Sequence, residues 1–186
     1  MAPDVIVLNG GSSAGKTEIA RLLQAILPEA WLTLGVDDLI RAMPNRLLDS
    51  GEGLLIEEGG RVLPGPAFRD LEEAWMAGIV AMARAGARVI VDDVFLGAAE
   101  TQARWRSALA HQEVVWAGVR CAPEVAALRE LARGDRARGM AAAQAAIVHE
   151  GVHYDIEVDT SETSALACAR QIAAAVAAAA LRGQAS

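Results

Sequence analysis

The chain of 186 residues predicts a doubly wound α/β domain, and three observations carry that prediction. Its strand-like runs are continuously apolar rather than alternating, as in strands buried on both faces. Segments of helical period stand between them, the alternation that builds a parallel sheet with helices on both sides. Hydrophobic residues make up 53% of the chain but aromatics only 4%, so the core must be built mainly from Ala, Val, Leu and Ile.

Val5-Ile6-Val7-Leu8 reads as the first strand. From Glu18 to Leu27, Ile19, Leu22, Leu23 and Ile26 recur at helical spacing, and the helix stops before Pro28. Trp31 to Val36 is the second strand. Leu71, Ala74, Trp75, Gly78, Ile79 and Met82 share one helical face, and Arg88 to Val91 is a third strand ending at Asp92-Asp93. Ala98 to Ala110 is helical, Val114 to Val119 is the fourth strand, and Pro123 opens the next helix at a permitted early position. Tyr154 to Asp159 gives a fifth strand and Ser164 to Leu181 a closing helix. Residues 1–186 then form one domain, a length one core can serve. The stretch from Pro44 to Pro66, with five glycines, is long for a connection and predicts a cover on the substrate side.

Bulk chemistry narrows the class. A net charge of −7 argues against a general nucleic-acid binder, which needs a basic face. Cys121 and Cys168 have no metal spacing and read as small buried hydrophobes, and free thiols suit a reducing cytoplasm. No leader pattern stands at the start, and Arg170 and Gln171 interrupt the Ala-rich tail, so the expectation is a cytoplasmic protein without a membrane span. The basic residues are sixteen arginines and one lysine, Lys16. In so arginine-biased a chain, the position that keeps lysine is one that needs a compact ammonium.

That lysine lies in Gly10-Gly11-Ser12-Ser13-Ala14-Gly15-Lys16-Thr17, which fits G-x-x-x-x-G-K-T between a strand and a helix. In this context the pattern is a phosphate-binding loop: small residues let backbone N–H groups wrap phosphates, and the helix N-terminus adds partial positive charge. Lys16 would reach the β and γ oxygens of ATP, and the Thr17 hydroxyl would ligate magnesium. A guanine-reading N-K-x-D segment is impossible with a single lysine, and the strand-end pair Asp92-Asp93 lacks the glutamate of many ATPase motors. A kinase-like role follows, with Asp92 expected to help hold hydrated magnesium; which of the two lies nearer the metal stays open.

Asp37 and Asp38 end the second strand, where a carboxylate can accept the proton of an attacking hydroxyl. Asp37 is the expected base, and Asp38 has the alternative of capping a helix over Leu39 to Met43. Ala132 to Gly139 groups Arg133, Arg136 and Arg138 around Gly134 and Gly139, predicting a lid over 132–142. Arg133 and Arg136 share a helical face and are the expected phosphate contacts. Tyr154 to Thr160 is expected near the adenine. His111, His149 and His153 read as surface or capping residues, and Trp75 and Trp105 as core.

These residues resemble the chloramphenicol phosphotransferase family of antibiotic-producing actinobacteria, nearly end to end. The likeness runs through LNGGSSAGKT (8–17), WLTLGVDDLIRAMP (31–44), ARVIVDDVFLG (87–97), ARGDRARGMAA (132–142) and VHEGVHYDIEVDT (148–160). The resemblance implies a P-loop nucleotide-kinase-like fold with a short lid, and ATP-dependent transfer to the primary hydroxyl of chloramphenicol, a self-resistance activity. It also implies Asp37 as the base and Arg133 and Arg136 as lid arginines. Thr17 stands where the family has serine, and residues 45–61 look least like it. Two other readings accompany this one: a kinase for another small alcohol or antibiotic, and a regulator that binds ATP without turnover.

Overall fold

The first apolar run forms β1 (Val5–Asn9), followed by α1 (Lys16–Ile26), β2 (Trp31–Gly35) and α2 (Val36–Ala42). A 3-10 turn at Asn45–Leu47 leads into β3 (Leu54–Ile56), β4 (Val62–Pro64) and α3 (Pro66–Arg84). Then come β5 (Arg88–Asp93), α4 (Ala98–Ala108), β6 (Val114–Arg120) and α5 (Pro123–Arg133). The chain closes with α6 (Met140–Ile147), β7 (Ile156–Asp159) and α7 (Ala165–Gln184). This computed structural model describes residues 3–48, 50–134 and 139–184.

Five strands make one sheet in the order β2-β5-β1-β6-β7, and every neighbouring pair is parallel. The doubly wound five-stranded sheet expected from the apolar runs is therefore the fold. Alternate side chains of β1 show why those runs are apolar throughout. Ile6 and Leu8 are buried with Ile19 and Leu23 of α1 and with Cys168, Ala169 and Ile172 of α7. Val5 and Val7 are buried on the other face with Met76, Ile79 and Val80 of α3, with Trp105 of α4 and with Leu109 just after it. A strand with a core on each face has no polar side.

Leu39 and Met43 of α2, Leu54 of β3 and Phe68 of α3 form a smaller cluster of their own. It roots the antiparallel β3-β4 hairpin within residues 44–66. The sequence shows this stretch only as a glycine-rich connection, because strands of three residues are too short to display a period.

Of the boundaries that differ from expectation, two have a visible cause. β2 stops at Gly35, and Val36 already belongs to α2, because Asp38 Oδ2 accepts the Gly35 N–H at 2.7 Å and closes the first turn. Asp37 and Asp38 are thus first-turn helical residues, where the helix dipole favours negative charge, and the capping position is Gly35 rather than Asp38. The last strand begins at Ile156, two residues late, since Tyr154 turns its ring against Gly118.

By length and composition α7 is apolar enough to cross a bilayer. Its residues Cys168, Ala169, Ile172 and Val176 are nevertheless buried against α1 and the sheet, so that face serves the domain's own core. Cys168 is fully buried as expected, whereas Cys121 is only half-buried, and both are free thiols.

Candidate active site

β1 sits between β5 and β6, so the chain reverses its direction of winding at the carboxyl end of β1, where doubly wound sheets hold ligands. Residues 10–17 occupy that point. Gly10 lies so close to β6 that a Cβ there would stand 2.4 Å from the Val119 carbonyl oxygen. Gly15 has φ 89°, a left-handed conformation suited to glycine, and it starts α1 without a side-chain cap. The first N–H groups of α1 therefore face the cleft with no side chain capping them, and the buried Ser13 hydroxyl has no partner among the described residues. Small residues, uncapped donors and an orphaned hydroxyl fit a bound phosphate chain.

Lys16 is 7% exposed. Its ammonium donates to the Gly11 carbonyl at 3.0 Å and stands 3.7 Å from Asp92 Oδ1. The Thr17 hydroxyl donates to Asp92 Oδ2 at 2.7 Å. Hydroxyl, carboxylate and ammonium thus meet at one corner. The first two are hard oxygen donors of the kind magnesium takes while keeping most of its water.

The strand period separates the two aspartates that the sequence leaves equivalent. Asp92 points to the phosphate loop. Asp93 points to the opposite face, accepting from Trp105 Nε1 and from the Val94 N–H, both at 2.7 Å. Burial pushes the Asp93 carboxyl up to about 6 against the pull of these two donors. Asp93 is thus a core group tied to Trp105, and Trp105 is buried as expected.

Thr17, Asp37, Asp92 and Arg133 all line one open cleft of about 1780 Å³. Its acceptor side is apolar along Leu54, Ile56, Val62 and Phe68. Of four arginines on that side, three are engaged with carboxylates, Arg41 with Asp38, Arg61 with Glu57, and Arg104 with Glu72 at 2.7 Å, while Arg69 has no ion pair among the described residues. Arg133 is the last residue of α5, at the start of the expected lid, while Arg136 and Arg138 lie outside the described residues. None of the described residues lining the cleft comes from 154–160. Instead Thr160 packs beneath the phosphate loop, its hydroxyl donating to the Ala14 carbonyl at 2.9 Å and accepting from Arg129 at 3.0 Å.

Several polar residues that hold this site together carry no motif. Asn9, at the end of β1, donates to the Val148 carbonyl at 2.7 Å and to the Tyr154 hydroxyl at 2.6 Å, and accepts from the Phe95 N–H at 2.9 Å. His149, expected at the surface, is half-buried with Nδ1 2.7 Å from the Tyr154 hydroxyl. Burial and the Arg120 charge bring its pKa down to about 4, so the ring is neutral at neutral pH. Glu130, 4% exposed, accepts from the Gly139 and Ala141 N–H groups, both at 2.7 Å. Gln144 Oε1 accepts the Ser12 N–H at 2.7 Å. The one available signal was a polar residue inside an otherwise apolar segment, as with Gln144 in MAAAQAAI.

The pattern of chloramphenicol phosphotransferase-like proteins matches residues 3–177, and the chain belongs to that family. A Mycobacterium tuberculosis protein provisionally named an O-phosphotransferase is 34% identical over 183 residues, covering 90% of this chain and 80% of the relative. Among solved structures, the Deinococcus radiodurans tunicamycin resistance protein aligns with a TM-score of 0.66 at 17% identity, over 95% of this chain and 96% of its own. The Mycobacterium tuberculosis APS kinase CysC, in complex with AMPPNP and APS, aligns with a TM-score of 0.63 at 15% identity, over 95% and 98%.

Proposed function

We propose that this member of the chloramphenicol phosphotransferase-like family moves the γ-phosphoryl group of ATP to the hydroxyl of a small uncharged alcohol, and that chloramphenicol's primary hydroxyl is the first acceptor to test. Family membership supports an ATP-dependent O-phosphotransferase. The observation that carries the acceptor class is the apolar wall that one side of the cleft presents. Arg41, Arg61 and Arg104 there each face a carboxylate, and Arg69 is left as the arginine an anionic acceptor would have to meet. The apolar wall from the hairpin and Phe68 suits an uncharged body instead.

In this reading the loop from Gly10 to Thr17 binds the phosphates, and Lys16 balances charge on the β and γ oxygens. Thr17 and Asp92 would hold magnesium, which supplies further neutralisation of the phosphate oxygens when bound. Asp37 accepts the proton of the attacking hydroxyl and keeps its oxygen in line with the phosphorus. Arg133 meets the charge that develops on the transferring group, and Arg136 has the same proposed role from the undescribed part of the lid. Antibiotic inactivation in a cytoplasmic setting follows if chloramphenicol is the acceptor.

The test is mass spectrometry of chloramphenicol incubated with the protein, ATP and magnesium, with a Lys16→Ala control. A product heavier by one phosphoryl group, absent from the control, is the expected result. ATP binding without that product removes chloramphenicol and sends the search to a panel of neutral alcohols read by ADP release. Tight ATP binding with no product across the panel would favour a non-catalytic regulator.

A further inference from the structure

The helix α6 is held at both ends. Glu130 holds its first turn through the N–H groups of Gly139 and Ala141. Asn9 holds its last turn through the Val148 carbonyl. Between these anchors α6 touches both halves of the cleft. On the nucleotide side Gln144, 5% exposed, accepts the Ser12 N–H, and a Cβ on Gly11 would stand 3.2 Å from the Ala145 nitrogen. On the acceptor side the tip of the β3-β4 hairpin presses on the helix start. A Cβ on Gly60 would stand 2.1 Å from the Met140 nitrogen, and one on Gly139 would stand 2.7 Å from the Gly59 carbonyl oxygen. Met140 and Gln144 are one helical turn apart, about 6 Å along the axis. A rigid turn of helix therefore stands between the acceptor-side hairpin and the phosphate loop.

We propose that Gln144 is a positioning residue for phosphoryl transfer: through the Ser12 N–H it sets the phosphate loop according to where the hairpin tip seats the start of α6. This rests on the kinase reading above. The amide oxygen of Gln144 touches the loop's backbone, so its effect on the reaction passes through the loop. A displaced hairpin tip moves Met140, and the same turn carries Gln144 with it. Acceptor-side packing and nucleotide affinity are then linked through one helix, and linkage of this kind is reciprocal.

The experiment is titration calorimetry of MgATP, without acceptor, into the wild-type chain, Gly60→Ala, Gln144→Met and the double variant, each well below its own melting temperature. Both single variants are expected to weaken MgATP binding by about fivefold or more. The double variant is expected to be no weaker than the worse single, as for two lesions on one path. Should Gly60→Ala fail to fold, Gly139→Ala loads the same contact from the helix side. Wild-type affinity in the hairpin variant, or losses that multiply in the double variant, overturn this proposal alone. A wild-type chain that does not bind MgATP overturns the kinase reading and this proposal with it.

Discussion

Thr17 Oγ1 and Asp92 Oδ2 are joined by a 2.7 Å hydrogen bond across the gap between α1 and β5. The contact brings a hydroxyl and a carboxylate from distant parts of the chain to one point beside Lys16. Asp92→Asn keeps the shape and removes the charge. The magnesium concentration for half-maximal transfer should rise about 10- to 100-fold, the usual cost of losing a metal-site partner. A magnesium titration of initial rates checks this, and an unchanged midpoint would take Asp92 out of the metal site.

Asp37 lies in the first turn of α2, on the wall of the cleft. As the proposed base it acts on the acceptor rather than on the nucleotide. Asp37→Asn should lower kcat by about two to four powers of ten while MgATP affinity stays at the wild-type value. Rate measurements beside nucleotide titration separate the two effects. Equal losses in both would make Asp37 a nucleotide-side residue.

Gly118 of β6 is in contact with the Tyr154 ring, and an added Cβ would stand 2.8 Å from it. The ring is held in turn by Asn9 and His149. Gly118→Ala should therefore cost about 1–3 kcal/mol, as overpacked sites do. Chemical denaturation of the two proteins measures it. A neutral result would show that the Tyr154 ring moves freely.

His149 makes stability depend on pH. Its folded pKa, about 4, lies below the ordinary imidazole value of 6.5, so the unfolded chain binds more protons between these values. Stability from this residue is complete above pH 6.5 and is lost as pH falls toward 4. Asp93 works the other way, losing stability as pH rises from 3.8 toward 6. The comparison of wild type with His149→Gln isolates the histidine. Melting temperatures between pH 7 and 4.5 should fall less steeply in the variant, and parallel curves would sever His149 from the effect.

The sheet and its two layers were legible because a strand buried on both faces is an unbroken apolar run and an amphipathic helix writes its period into about a dozen residues. The tight turn at residues 10–17 was legible because close backbone packing there restricts it to small residues around Lys16. Asp92 and Asp93 could not be ranked in sequence, since only the Trp105 ring from α4 makes one of them a core group. The boundary at Gly35 escaped for a similar reason: Val36 is a good strand residue, and the side chain of Asp38 decides against it. Gln144 and Glu130 went unnoticed because each meets its partners only after the chain has folded back. Gln144 reaches across 132 residues to Ser12.

With one lysine in the whole chain, the phosphate loop carries its own chemical address. An amine-selective reagent finds one side-chain amine, Lys16, besides the terminal α-amino group, and Lys16 is 7% exposed and screened by Gly11 and Asp92. Labelling at Lys16, read on its own peptide so that the α-amino group is counted apart, therefore reports occupancy of this one loop without mutagenesis. Ligands that enter the cleft can be ranked by how far they slow a single modification, whatever acceptor they turn out to resemble.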